Sequence, residues 1–253
     1  MRNIKAIFKK QLKDTLKNPA VLIQFMIFPF IAFVMTWLMD FESMMDFEGM
    51  TEEMLAFAQE NMQASMPNMT TMQATIFAGM GLIPIVAGII AEDIEKKSLR
   101  FLQMAGVKPS SYLLGVGGVI FFVSFFSSIA FALIGGFTGQ DFWIFTASMM
   151  SGVAASIVLG AAIGILTKNQ QAATALSMPA AMILGFGPTM AQFNDTVARV
   201  LHVTYTQQLN VVTDYLTHGA DVNLWQSFGI MWANVAVLGI FFAIAYRKKG
   251  LTE

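Results

Sequence analysis

Six stretches of the chain are continuously apolar and free of Asp, Glu, Lys, Arg and His: residues 21–39, 75–91, 113–137, 144–166, 172–191 and 224–246. A helix needs about 20 residues to cross the ~30 Å hydrocarbon core of a bilayer. A charge at mid-span costs about 2.5–3.5 kcal/mol on insertion scales, so charge-free segments of this length predict spanning helices. The pieces between them follow a different pattern. Residues 1–18 place Ile4, Phe8, Leu12 and Leu16 at steps of four with lysines around the rest, which predicts an interfacial amphipathic helix. Asn18-Pro19 ends it and redirects the chain. Residues 92–112 put Glu92, Asp93, Glu95, Lys96, Lys97 and Arg100 first, with Ile94, Leu99, Phe101, Leu102 and Met104 threaded among them. That predicts a short surface helix closed at Gly106, with Ser110 or Ser111 capping the third span.

Pro179 and the run Gly185-Phe186-Gly187-Pro188 predict a bend or break near the end of the fifth span. After it, in residues 192–222, Val197, Val200, Leu201, Tyr205, Leu209, Val212 and Leu216 recur at three- and four-residue steps. Short amphipathic helices dipping into the interface fit that pattern, with Asp195 and Arg199 spaced to pair on one turn. The whole of residues 1–253 therefore reads as one all-α membrane domain with six transmembrane helices.

Composition agrees. The chain is 56% hydrophobic and 12% charged, where soluble domains average roughly 45–50% and about 25%. A net charge of −1 excludes a general nucleic-acid-binding character. The absence of cysteine excludes disulfides and thiolate metal sites. Charge also sets orientation: with both termini cytoplasmic, every basic residue except Arg199 falls on the inner side. The acids lean the other way, with Asp40, Glu42, Asp46, Glu48, Glu52, Glu53 and Glu60 in the outer loop at 40–74. The basic start followed by an apolar run mimics a signal peptide, but the run is too long and "TWLMDFES" offers no small-residue cleavage site, so the segment is expected to be retained.

Candidate chemistry is sparse. The outer loop carries Met44, Met45, Met50, Met54, Met62, Met66, Met69 and Met72. Thioethers bind Cu(I), yet methionine also fills adaptable contacts, and contact with a subunit, lipid or greasy substrate is the expectation. There is no G-x-x-x-x-G-K-[ST] phosphate loop, no H-E-x-x-H and no G-x-S-x-G. Ion-coupled transporters use ionisable groups inside the membrane, and these spans have none. If solutes move uphill, the energy enters from another polypeptide. Among neutral polar residues in the spans, Gln24 and Asn234 are bulky and costly to bury, and with Ser177 they are the pathway candidates. Gly117-Gly118, Gly135-Gly136, Gly152, Gly160 and Gly164 read as close helix contacts.

As an ordered set, these features resemble the permease subunits of type-2 ABC exporters. The resemblance spans the interfacial helix, "KNPAVLIQFMIFPF" into span one, a sizeable outer loop, and "EDIEKKSLRFLQMAGVKPSSYLLG". It continues through the Gly/Pro-interrupted span five, the outer re-entrant helices and a last span ending in "YRKKG". Where the family often carries a proline after its first re-entrant helix, this chain reads "LHVTYTQQ". The resemblance implies that residues 92–112 are a coupling helix docking on a separate ATPase, with Glu92, Glu95, Lys96, Lys97, Arg100, Phe101 and Leu102 passing its closure to the spans. It further implies two ABC ATP-binding subunits and a second copy of the permease. ATP and Mg would sit on the ATPase, and this chain would hold no cofactor. Its place would be a bacterial-type plasma (inner) membrane. Pro179, Gly185, Gly187 and Pro188, with the outer helices, would form the outer gate. The Phe-rich third span suits a hydrophobic or amphipathic cargo: a drug, a lipid-like molecule or an antimicrobial peptide. The rivals are a non-transporting immunity or sensor protein and an ion-coupled secondary transporter.

Overall fold

A computed structural model describes residues 2–44 and 69–252. Every regular element among them is a helix, and among the described residues six helices are long and apolar enough to cross a membrane. In chain order these are α1 (Arg2–Lys17), α2 (Pro19–Met44) and α3 (Met69–Glu95), then α4 (Ser98–Met104), α5 (Pro109–Ile134) and α6 (Gly139–Leu166), and finally α7 (Gln170–Ala191), α8 (Asp195–Leu201), α9 (Tyr205–His218) and α10 (Leu224–Thr252). Of these, α2, α3, α5, α6, α7 and α10 have the length and hydropathy of spans. The acidic loop expected at 40–74, including Met45, Met50, Met54, Met62 and Met66, lies largely outside the described residues.

The core is α3 against α6, and composition explains why these two are central. α6 carries "SGVAASIVLGAAIGIL", whose small side chains let backbones approach. A Cβ on Gly160 would lie 2.7 Å from the Ile83 carbonyl, and one on Gly164 would lie 2.6 Å from that of Ala87. Around this pair, α5, α9 and α10 pack on α6 and α7 packs on α3, while α2 packs on α5 and touches α3 at Phe77. α3 and α6 are mostly buried, whereas α2, α7 and α10 expose most of their apolar surface, as lipid-facing helices do. α1 lies across the start of α5, with Ile7 against Gly115 and Phe8 against Gly118. Asn18 separates α1 from α2, as its place before Pro19 predicts. Six spans bring the start of α1, α4, the end of α10 and the lysines to one end, here called the basic end.

Several local expectations are corrected. Residues 92–105 are not one surface helix: α3 continues through Glu95, and a left-handed Lys97 (φ 58) turns the chain into α4. Gly106 does end α4, at φ 74. The third span is not capped by Ser110 or Ser111, because Lys108 occupies the cap position with Pro109 in the first turn, where its missing N–H costs nothing. α7 is unbroken from Gln170 to Ala191 with Pro179 and Pro188 inside it. The irregular span is α3, where Phe77–Gly81 form a π-helical segment. Gly135-Gly136 is the turn after α5 rather than a helix contact, with Gly136 at φ 71. Asp195 and Arg199 form no ion pair; instead the Asn194 side chain caps α8 by accepting from the Thr196 and Val197 amides.

Candidate functional site at the basic end

The charge-rich turn between α3 and α4 converges on Asp93. Its carboxylate accepts the Tyr112 hydroxyl at 2.7 Å and the Ser98 hydroxyl at 2.6 Å, and Lys10 stands 3.7 Å away. One side chain thereby ties α1, α3, α4 and α5 together. The network extends to α10, since the Tyr112 and Tyr246 rings lie 5.6 Å apart. The Gln103 amide donates to the Tyr246 carbonyl at 2.8 Å, and the Tyr246 hydroxyl donates to the Val107 carbonyl at 3.3 Å. Tyr112 is fully buried and Asp93 is partly buried, which strengthens the bond between them relative to one at an open surface.

Around this cluster the expected coupling residues are distributed over two elements and a turn. Glu92 ends α3 in an ion pair with Lys96, whose ammonium is held above its usual pKa by that hydrogen bond and charge. Glu95 accepts the Gln170 amide at 3.2 Å, placing a negative charge at the N-terminus of α7. Lys97 is the turn, and Arg100, Phe101 and Leu102 lie on α4. Leu99 is buried beneath that helix, whereas Phe101 and Met104 are 68% and 76% exposed. Beside Phe101, a notch of about 380 Å³ opens between α1, α4 and α5, walled by Ile7, Leu102 and Val116. An exposed aromatic beside an apolar notch, rimmed by charge of both signs, is suited to receive a protein partner.

The three expected pathway residues do not converge. Gln24 donates to the Gly81 carbonyl at 3.0 Å and lines a groove of about 380 Å³ between α2, α3 and α7. Asn234 donates to the Val203 and Ile230 carbonyls, joining α10 to the turn before α9. Ser177 is buried and donates to Thr174 in its own helix. Of the expected gate residues, Gly185 faces the π segment: a Cβ on Gly79 would lie 2.6 Å from the Gly185 amide nitrogen. Gly187 packs against Leu201 of α8, which carries the end of α7 into the helices that follow.

The π segment is also a junction that sequence patterning missed. A π turn inserts one residue into the helical ladder and disturbs its carbonyl pairing. Here the Ala78 carbonyl accepts the Ser156 hydroxyl, the Gly81 carbonyl accepts Gln24, and Tyr205 lies 2.9 Å from Ser156. Burial raises the pKa of the Tyr205 phenol, which stays neutral here. Ser156→Ala should cost about 1–2 kcal/mol by leaving Ala78 and Tyr205 short of a partner. The expected reading is a lower unfolding temperature in detergent, with Tyr205→Phe adding little once Ser156 is gone.

A family model described as ABC-2 family transporter protein matches residues 41–244. The chain belongs to that family. No curated protein matches it. An ABC-2 permease is the membrane subunit of a transporter, which makes this an integral membrane protein and implies ABC ATPase partners. The match takes in α3 through most of α10, so the Asp93 turn and α4 lie within it. Asp93 was passed over as a site residue from sequence. Its only local signal is Ser98 five positions later, while Tyr112 and Lys10 reach it through the fold.

Proposed function

We propose that this ABC-2 permease is the membrane half of an ATP-driven exporter that moves a hydrophobic or amphipathic cargo outward. The basic end is cytoplasmic, in a bacterial-type plasma membrane, by the excess of Lys and Arg there. ATP and Mg act on two separate ATPase subunits that dock at α4 and its charged rim. Glu92, Glu95, Lys96, Lys97, Arg100, Phe101 and Leu102 form or border that docking face. The observation that carries this reading is the Asp93 cluster, because a push on α4 reaches α1, α3 and α5 through one partly buried carboxylate. From α3, motion passes to α7 and on to α8, and the end of α7 serves as the gate; the close approaches of Gly79 to Gly185 and of Gly187 to Leu201 support this reading. A second copy of the permease completes the transporter, with the cargo route formed between the two copies. The uncharged spans favour this over ion-coupled transport.

Two arms test the proposal. Co-expressed ATPase should co-purify with the permease, and Phe101→Asp should reduce its recovery at least about tenfold by placing a charge in an apolar contact. Candidate cargoes should stimulate ATP hydrolysis by the reconstituted complex. Transport that follows a proton gradient without any ATPase would overturn the reading.

A further inference from the structure

A cavity of about 610 Å³ near the basic end lies between α1, the start of α2 and the ends of α3 and α4. Its charged lining is balanced: Lys10, Lys17 and Lys96 against Asp14, Glu92 and Asp93. Two of the lysines are already engaged, Lys96 with Glu92 and Lys10 with Asp93. Asp14, whose charge also acts on Lys96, and Lys17 are exposed at the mouth of the cavity and form no ion pair among the described residues. They stand three apart in the last turns of α1, a spacing that sets Cβ atoms about 5–6 Å apart on one helix face.

This polar cavity continues into the groove between α2, α3 and α7, with Asn18, Val21, Ile89 and Glu92 lining both. Beyond Glu92 the groove walls are mainly apolar, with Phe28, Met80, Ile85 and Met178, and Gln24, Gln170 and Thr174 add polar groups along them. From Glu92 to Met80, α3 rises about 18 Å at ~1.5 Å per residue. Half of the hydrocarbon core is about 15 Å. A polar pocket at interface level thus opens into a mainly apolar channel about one acyl chain long.

We infer that this continuous site binds a phospholipid of the leaflet at the basic end, with a zwitterionic amine headgroup beside Asp14 and Lys17 and an acyl chain in the groove along α3. The ammonium faces Asp14, and the phosphate faces Lys17. A purely basic pocket would favour anionic lipids. Here an anionic headgroup such as phosphatidylglycerol brings no cation and leaves Asp14 with a like-charged neighbour. The inference goes beyond the exporter reading, because the lipid is a resident ligand and its binding is read without ATP or ATPase.

The test uses the full-length permease in mild detergent, incubated with equal amounts of phosphatidylethanolamine and phosphatidylglycerol. Retained lipid is measured by native mass spectrometry. The expected result is several-fold preferential retention of phosphatidylethanolamine. Asp14→Lys should reverse the preference towards phosphatidylglycerol, a gain that a misfolded protein cannot give. Gly88 lines the groove, and a Cβ there meets nothing closer than the Gln170 side chain at 3.6 Å. Gly88→Leu, read only where its size-exclusion profile is parental, should lower retention of both lipids by filling the channel. Equal retention of the two lipids by the parent protein would overturn the inference. So would unchanged preference in Asp14→Lys, or full competition by water-soluble glycerophosphoethanolamine, which would assign the site to a free headgroup.

Discussion

Asp93→Ala should lower transport by the reconstituted complex about tenfold while the ATPase subunit still co-purifies. The substitution removes the acceptor for Tyr112 and Ser98 and the counter-charge for Lys10. Tyr112 is fully buried, and a buried hydroxyl left without a partner costs about 1–3 kcal/mol. About 1.4 kcal/mol corresponds to a factor of ten in an equilibrium, so with the Lys10 counter-charge lost as well, a conformational step relying on this cluster should fall by about that factor. Phe101, the exposed aromatic of the proposed docking face, is untouched, which is why assembly should persist. Asp93→Asn keeps one carbonyl acceptor and should fall between the parent and Asp93→Ala. The measurements are cargo flux in proteoliposomes, pull-down of the ATPase and the unfolding temperature of each variant. Parental flux in Asp93→Ala would remove the cluster from the coupling route.

Gly79→Val should abolish recovery of monodisperse permease. The added Cβ would lie 2.6 Å from the Gly185 nitrogen and 2.6 Å from the Leu184 carbonyl carbon, both backbone atoms that no rotamer change can move. Ordinary overpacking costs about 1–3 kcal/mol where side chains can shift. Here α3 and α7 must separate instead, taking with them the packing around the π segment. Gly88→Ala on the same helix is the control, because its nearest neighbours belong to the Gln170 side chain. Size-exclusion profiles and unfolding temperatures distinguish the two. A parental profile for Gly79→Val would mean that α3 and α7 do not meet at this crossing.

The spans were legible because they depend on a local quantity, the lack of charge over about twenty residues. Small-residue contacts at Gly160 and Gly164 were legible for a similar reason: a membrane helix rich in Gly, Ala and Ser has little other use for them. What escaped depends on partners distant in the chain. The prolines in α7 pointed to a bend or a break, and the helix runs on through both of them from Gln170 to Ala191. The irregularity sits instead at Phe77–Gly81, where no proline marks it, and its carbonyls are met by Ser156 and Gln24 from α6 and α2. Asp93 looked like one acid among three. Its role follows from Tyr112, Ser98 and Lys10 arriving around it, and only Ser98 is near in sequence. Gln24 and Asn234 were singled out for bulk and polarity, and both donate to backbone carbonyls of other elements. Composition identifies such residues as costly to bury without saying what they bond.

The central claim is that ATPase motion enters this permease at α4. Because the chain has no cysteine, Phe101→Cys introduces a unique thiol on the exposed face of that helix. The decisive measurement is labelling of this thiol by a water-soluble maleimide, with and without the ATPase subunit and with and without ATP. Docking at α4 predicts strong protection when the ATPase is bound and a labelling rate that changes again on adding ATP. Equal labelling in all conditions, in a complex shown to be assembled, would contradict the claim.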